Sequence, residues 1–255
     1  MPSADDYGTL AGVYEYLVPE DVLTPAGSVA AYAPMVDTFA PGARVLDCSA
    51  GIGLLAVGLA LGGFEVVATD ASAAMIQRAR ALAAEHGVDL EALACPWEEL
   101  GRQGWDARFD VVFCTGNSIA HANGRAARRN ALEQMASVLR PGGLLVIDSR
   151  NWERIRSLGS RVDVAERLRG DGPERALTIH AWTIPDTWDE TLQLEAVIAL
   201  IADNGSVRTR TDRLSFGPFT HHSLGEDLRA SGFAPASSTY RDDVELYTVT
   251  ATRAG

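Results

Sequence analysis

Asp47, Gly51, Gly53 and Asp70 have the residue types and spacing of a ligand site, and Asn117 and Arg150 join them further along the chain. The first three lie in Arg44-Val45-Leu46-Asp47-Cys48-Ser49-Ala50-Gly51-Ile52-Gly53-Leu54-Leu55-Ala56-Val57. The short apolar run reads as a buried parallel strand, an acid ends it, two glycines turn the chain, and a helix follows. Glycines let the backbone pass close to a ligand, and a helix behind them directs free N–H groups at the same place. This is a nucleotide-binding turn. Residues 51–56 also fit the dinucleotide pattern G-x-G-x-x-G/A. Asp47 argues against a pyrophosphate there, because both groups are anionic. A carboxylate suits a ligand whose nearest part is a cation or an amine.

The elements that position these residues follow in chain order. Residues 64–69 form the next strand, and Asp70 ends it at about the spacing at which an acid accepts hydrogen bonds from ribose hydroxyls. Asp70 alternatively caps the helix begun by Ala71-Ser72-Ala73-Ala74-Met75, although Ser72 is able to take the cap. Residues 88–94 form a third strand, ending at Cys95-Pro96-Trp97. Trp97 offers either a flat wall for a base or ordinary packing. Residues 109–114 form the fourth strand, followed by Thr115-Gly116-Asn117-Ser118-Ile119-Ala120-His121. Open α/β sheets place their sites outside the carboxyl ends of strands, so this polar loop faces the ligand crevice. A helix is expected over 125–139, a turn at Arg140-Pro141-Gly142-Gly143, and a fifth strand over 144–148, with Ser149-Arg150-Asn151-Trp152 beyond it.

Residues 5–40 read as helical, with breaks at Pro19 and Pro25, and carry Tyr7, Tyr14, Tyr16 and Tyr32. They form either an amphipathic cover or a lid whose phenols line the site. Residues 151–217 have no place in a seven-stranded core. Their alternating runs around Asn204-Gly205 predict a small antiparallel sheet over the crevice. A helix from His221 and a strand pair over 233–238 and 246–252 close the fold. His221 and His222 lack metal-ligand spacing on a helix face, and no metal site is expected.

The net charge of −12 argues against a nucleic-acid partner. No apolar run is long enough to span a membrane, and the N-terminus is not a signal peptide. Cys48, Cys95 and Cys114 fit reduced thiols in a cytoplasmic protein. Self-association into a homo-oligomer is left open.

Val45-Leu46-Asp47-Cys48-Ser49-Ala50-Gly51-Ile52-Gly53 resembles the first motif, D-x-x-x-G-x-G, of the class I S-adenosylmethionine (SAM) methyltransferases. Gly116-Asn117-Ser118-Ile119-Ala120-His121, together with residues 139–152, resembles the glycine/sarcosine N-methyltransferase branch. The resemblance covers roughly residues 44–152. It implies that Ser49, Asp70, Ala71 and Trp97 are cofactor positions, that Asn117 and Arg150 bind substrate, and that His121 lies near the cofactor. Asp47, Gly51, Gly53, Met75, Pro96 and Thr115 complete the expected cofactor set, and Tyr7 and Tyr14 the substrate set, with Tyr16 beside the reacting groups. Arg150 suits a substrate carboxylate through two parallel hydrogen bonds; an internal ion pair with Asp148 or an acid of the insertion is the alternative. Asn117 offers a carbonyl to an amine and a donor to a carboxylate. His121 is read as a structural or cofactor-orienting residue, with a base role as the alternative.

Two departures from the branch bear on the substrate. Residues 151–239 contain no Tyr, and no Arg precedes Arg44. An acceptor larger or more apolar than glycine is therefore expected. The expected fold is a doubly wound, seven-stranded, mostly parallel α/β sheet divided into a helical lid (1–40), a SAM-binding core (41–150), a substrate-covering insertion (151–217) and a closing segment (218–255). The expected reaction is methyl transfer from SAM to a small amine, leaving S-adenosylhomocysteine. An O- or C-methyltransferase, a SAM-using cyclase or lyase, and a SAM-sensing binding module are the alternatives.

Overall fold

The computed structural model describes residues 16–18, 20–170 and 172–255. Strands β1 (Arg44–Asp47), β2 (Glu65–Asp70), β3 (Glu91–Ala94), β4 (Phe109–Cys114), β5 (Leu139–Arg150), β10 (Ser237–Ser238) and β11 (Leu246–Thr252) build a seven-stranded sheet. Its order is β10-β11-β5-β4-β1-β2-β3. The first five strands run parallel to one another, whereas β11 runs antiparallel to both β5 and β10. Val45, Leu46 and Asp47 are all buried because β1 is central and covered on both faces. The order reverses beside β1, which places a ligand crevice at the carboxyl ends of β1, β2, β4 and β5.

Helices α1 (Pro25–Ala30), α2 (Ala33–Val36), α3 (Leu54–Leu61), α4 (Ala73–Glu85), α5 (Gly124–Val138), α6 (Trp152–Ser157) and α7 (His221–Ala230) accompany the sheets. Val36, Leu55, Leu59, Val111, Phe113 and Val146 form one core. A larger core joins Leu46, Phe109, Leu145 and Ile147 to Trp182, Leu194, Ile198 and Phe216 of the insertion. The insertion is a four-stranded antiparallel sheet, β6 (Arg161–Val164), β7 (Glu174–Thr183), β8 (Leu192–Ala202) and β9 (Val207–Phe216), in that order. Its β7, β8 and β9 lie where the alternating runs predict them, and Gly205 turns with φ +81°.

The break expected at Pro25 falls just before it, where α1 starts: Thr24 caps Gly27 N–H at 3.0 Å, and Pro25 occupies a first-turn position that needs no N–H. Two strand boundaries need correction. β3 begins at Glu91 because Val88 N–H turns back to Ala83 O (2.9 Å), with Gly87 left-handed at the end of α4. β5 begins at Leu139 and runs through the expected turn. Phe109 pairs with Leu139 and Val111 with Leu144, so residues 140–143 form a bulge. The bulge is held by hydrogen bonds between Gly142 or Gly143 and Arg253. Neither α6 nor β6 was legible in the sequence.

Candidate functional site

Asp47, at the end of β1, is 1% exposed. Its carboxylate accepts from Ser49 N–H at 3.3 Å. Burial, followed by Asp70 and Asp148, pushes its pKa up to about 7. Gly53 has φ +88°, and a Cβ there would lie 2.7 Å from Ala79 Cβ, so this glycine lets α3 pack on α4. Asp70 accepts from Gly51 N–H at 2.9 Å and Ser72 N–H at 2.8 Å. A carboxylate has about four acceptor positions, so capacity for ligand hydroxyls remains. Ser72, and not Asp70, caps α4. Ala71 is exposed beside this acid. Met75 is 2% exposed and packs with Ile52.

Trp97 follows half-buried Pro96 just past β3, and its indole N–H donates to Cys48 O at 2.8 Å. That bond fixes the ring beside the end of β1. Ser49 stitches the β1 loop to the β4 loop: it accepts from Thr115 N–H at 2.8 Å and donates to Thr115 O at 3.0 Å. Gly116 and Asn117 both have positive φ, +72° and +61°. Asn117 N–H donates to Asp148 Oδ1 at 2.6 Å, and its side-chain carbonyl accepts from Arg150 N–H at 2.9 Å. The Asn117 carbonyl read as a substrate acceptor is thus joined to β5, and its amide is the group suited to reach a ligand. Asp148 also accepts from the Tyr32 phenol.

The insertion supplies an aromatic wall. Phe216 lies 4.8 Å from the His121 ring, 5.1 Å from Trp152 and 6.5 Å from Trp182. His121 Nδ1 lies 3.3 Å from Ser215 O, which anchors the ring to β9. The guanidinium carbons of Arg150 and Arg161 stand 5.8 and 5.5 Å from the Trp182 ring centroid. The Trp182 N–H is sealed from solvent without a hydrogen-bond partner. His180, on the same strand, is held below the usual imidazole range by burial and then by Arg150. Tyr16 packs against this core, and its backbone carbonyl accepts from Arg169 at 2.8 Å. Tyr7 and Tyr14 lie outside the described residues.

Sequence reasoning named Tyr32 as one of four phenols of a cover or lid, and it missed Asp148 and Trp182 as crevice residues. Asp148 had a visible signal, since it closes the apolar run of β5 as Asp47 and Asp70 close theirs. Trp182 had none, because its place depends on tertiary packing.

These residues can receive SAM. Asp47 is a buried carboxylate with no cation in ion-pair range among the described residues, and a positively charged amine relieves its burial cost. The glycine turn, the Asp70 carboxylate and the Trp97 indole stand at the neighbouring strand ends. This is the fold and crevice of a nucleotide-derived cofactor enzyme of the Rossmann-like class.

Known proteins agree. A methyltransferase-domain family model matches residues 45–143. A glycine/sarcosine N-methyltransferase of Halorhodospira halochloris is 35% identical over 116 residues, covering 46% of this chain and 43% of that protein. A glycine N-methyltransferase of Mus musculus is 32% identical over 207 residues, covering 74% and 68% of the two chains. The solved CcbJ methyltransferase of Streptomyces caelestis has a TM-score of 0.79 at 21% identity, covering 99% and 98%. The chain belongs to the class I SAM-dependent methyltransferases and resembles their glycine/sarcosine N-methyltransferase branch. Its match spans less than half the length of the Halorhodospira relative. Among the described residues no helix is long and apolar enough to cross a membrane.

Proposed function

We propose that this chain is a SAM-dependent N-methyltransferase of a small amine that bears a carboxylate and is larger or more apolar than glycine. The observation that carries this reading is the separation of charge across one crevice. Buried Asp47 and half-buried Asp70, with no ion-pair partner among the described residues, line the ends of β1 and β2, and the Arg150 guanidinium stands near the Trp182 ring at the end of β5. The named N-methyltransferase relatives support the choice of nitrogen.

Asp47 receives the cofactor's amine end, the turn at Gly51 and Gly53 passes beneath it, and Asp70 with Ala71 receives the ribose. Pro96 and Trp97 border the adenine slot, with Met75 beneath the turn. Ser49, Thr115 and His121 bound the middle of the crevice. SAM supplies, when bound, a methyl group already activated by a sulfonium. The protein's task is then alignment and exclusion of water. Arg150 grips the acceptor carboxylate, the Asn117 amide orients it, and the wall of Phe216 and Trp182 covers its apolar part. Tyr16 packs on the core beside it. An amine that arrives neutral attacks without a strong base, and its proton leaves to water afterwards. His121, fixed between Phe216 and Ser215, acts as an orienting residue.

Mass spectrometry of products from isotopically labelled SAM and a panel of amino acids and amines tests the reading. A methylated amine with S-adenosylhomocysteine is the expected product. Methylthioadenosine would indicate cofactor cleavage or cyclisation. Labelled oxygen or carbon products, lost in His121→Ala with SAM binding intact, would indicate O- or C-methylation. SAM binding with no turnover across the panel would indicate a sensor.

A further inference from the structure

Asp148 is the crevice acid to which the methyltransferase motif gives no task. It lies near the carboxyl end of β5, two residues before Arg150. Both of its oxygens are engaged, one by the Tyr32 phenol and one by Asn117 N–H at 2.6 Å. Both donors are neutral, so they hold the carboxylate in place without cancelling its charge. The Tyr32 ring is itself fixed edge-on against Phe113, with centroids 5.7 Å apart. No described residue forms an ion pair with Asp148. Its charge and that of Asp70 both act on Asp47, so the three carboxylates share one field. This arrangement concentrates negative charge where α2, β1, β4 and β5 meet.

On the proposed reading, the cofactor carries two cationic centres, an ammonium and a sulfonium. Asp47 answers the ammonium, and Asp70 answers neutral hydroxyls. The sulfonium is left without a counter-charge from either. We propose that Asp148, held by Tyr32 and Asn117, is a positioning residue whose field makes the crevice prefer the charged sulfonium of SAM over the neutral thioether of S-adenosylhomocysteine. The inference rests on the SAM reading above. Its consequence is directional. The charge that favours entry of SAM disappears when the methyl group leaves, so the same carboxylate ceases to retain the product. Tyr32 and Asn117 N–H hold both oxygens of Asp148 in place.

The test is calorimetric affinity for SAM and for S-adenosylhomocysteine, without any acceptor, in the full-length protein and in Asp148→Asn. An asparagine keeps the shape and an acceptor for Asn117 N–H, while removing the charge. SAM affinity should fall on the order of tenfold, as for one partly screened charge, with S-adenosylhomocysteine affinity within about twofold of wild type. Equal weakening of both ligands would make Asp148 a scaffold for the Asn117 loop and overturn the proposal, as would no change in either. Tyr32→Phe keeps the charge and should keep the SAM preference; its loss in that variant would assign the preference to the phenol and also overturn the proposal. Tyr32→Phe decides the matter if Asp148→Asn does not fold. Wild-type protein that binds neither ligand would remove the SAM reading itself, an outcome distinct from the others.

Discussion

Replacing Asp47 by Asn should make SAM binding insensitive to pH between 6 and 8. Asp47 is wholly buried, and burial together with Asp70 and Asp148 raises its pKa to about 7. In the ligand-free protein it is therefore about nine-tenths protonated at pH 6 and about nine-tenths ionised at pH 8. A bound ammonium favours the ionised form and draws the pKa down. SAM affinity at pH 6 should then lie about tenfold below its plateau, or about 1.4 kcal/mol. Binding should release nearly one proton at pH 6, about half at pH 7 and little at pH 8. Calorimetry in two buffers of different ionisation enthalpy measures that release directly. The Asn variant, run alongside, removes any titration that belongs to the ligand. The same shift has a stability signature of opposite sense. A carboxyl whose folded pKa is raised stabilises the ligand-free fold fully below its unfolded value of 3.8, and that contribution is lost as pH rises through about 7. Asp47→Asn should therefore be more stable than wild type at pH 8 while binding SAM less tightly. A wild-type affinity that is flat from pH 6 to 8, with no proton release, would refute the argument.

Arg150→Ala should raise the acceptor KM by about ten- to a hundredfold, from the roughly 1.5–3 kcal/mol of a charged hydrogen-bonded contact, with SAM affinity unchanged; intact turnover would mean that the acceptor carries no anion there. Asp227→Ala should cost about 3–5 kcal/mol in urea unfolding, because this wholly buried carboxylate accepts from Arg125, Arg128 and Arg129, and Arg128 is itself only 3% exposed. A loss under about 1 kcal/mol would show that the cluster is solvated in solution.

The parts of the fold legible in the sequence are those set by local rules. β1, β2 and β4 are short apolar runs ended by an acid or a polar loop, and the glycines at 51 and 53 permit the positive φ angles, +53° and +88°, that the turn needs. β7, β8 and β9 were legible as alternating runs around Asn204-Gly205, and in β8 burial itself alternates at a period of two. The misplaced boundaries lie where tertiary hydrogen bonding overrides a local signal. Pro141, Gly142 and Gly143 spell a turn, yet the chain stays in β5 because Arg253 supplies backbone partners. β6 is a mostly exposed edge strand, with Val162 and Val164 in solvent, and four residues of that kind carry no alternating signal. In the site, Asp47, Asp70, Asn117 and Arg150 were found from their positions after strands. Tyr32 and Trp182 reach the crevice from elements whose docking angle no local pattern encodes.

On the proposed reading, that division has a physical consequence for this chain. The cofactor half is built from β1, β2 and the loop after β4, where each polar group has its place set by the backbone of a central buried strand. A change there disturbs the main sheet. The acceptor half takes its wall from β7 and β9, whose inward residues Trp182 and Phe216 belong to the shared core while the far end of β9 stands in solvent. Substitution on this sheet can alter the wall without moving Asp47 or Asp70. Arg150 links the halves: its backbone N–H is tied to Asn117 on the sheet side, and its guanidinium lies near Trp182 on the insertion side. A single residue thus couples the cofactor crevice to the aromatic wall. Acceptor choice in this chain should accordingly follow Trp182 and Phe216 more closely than any residue of the glycine turn.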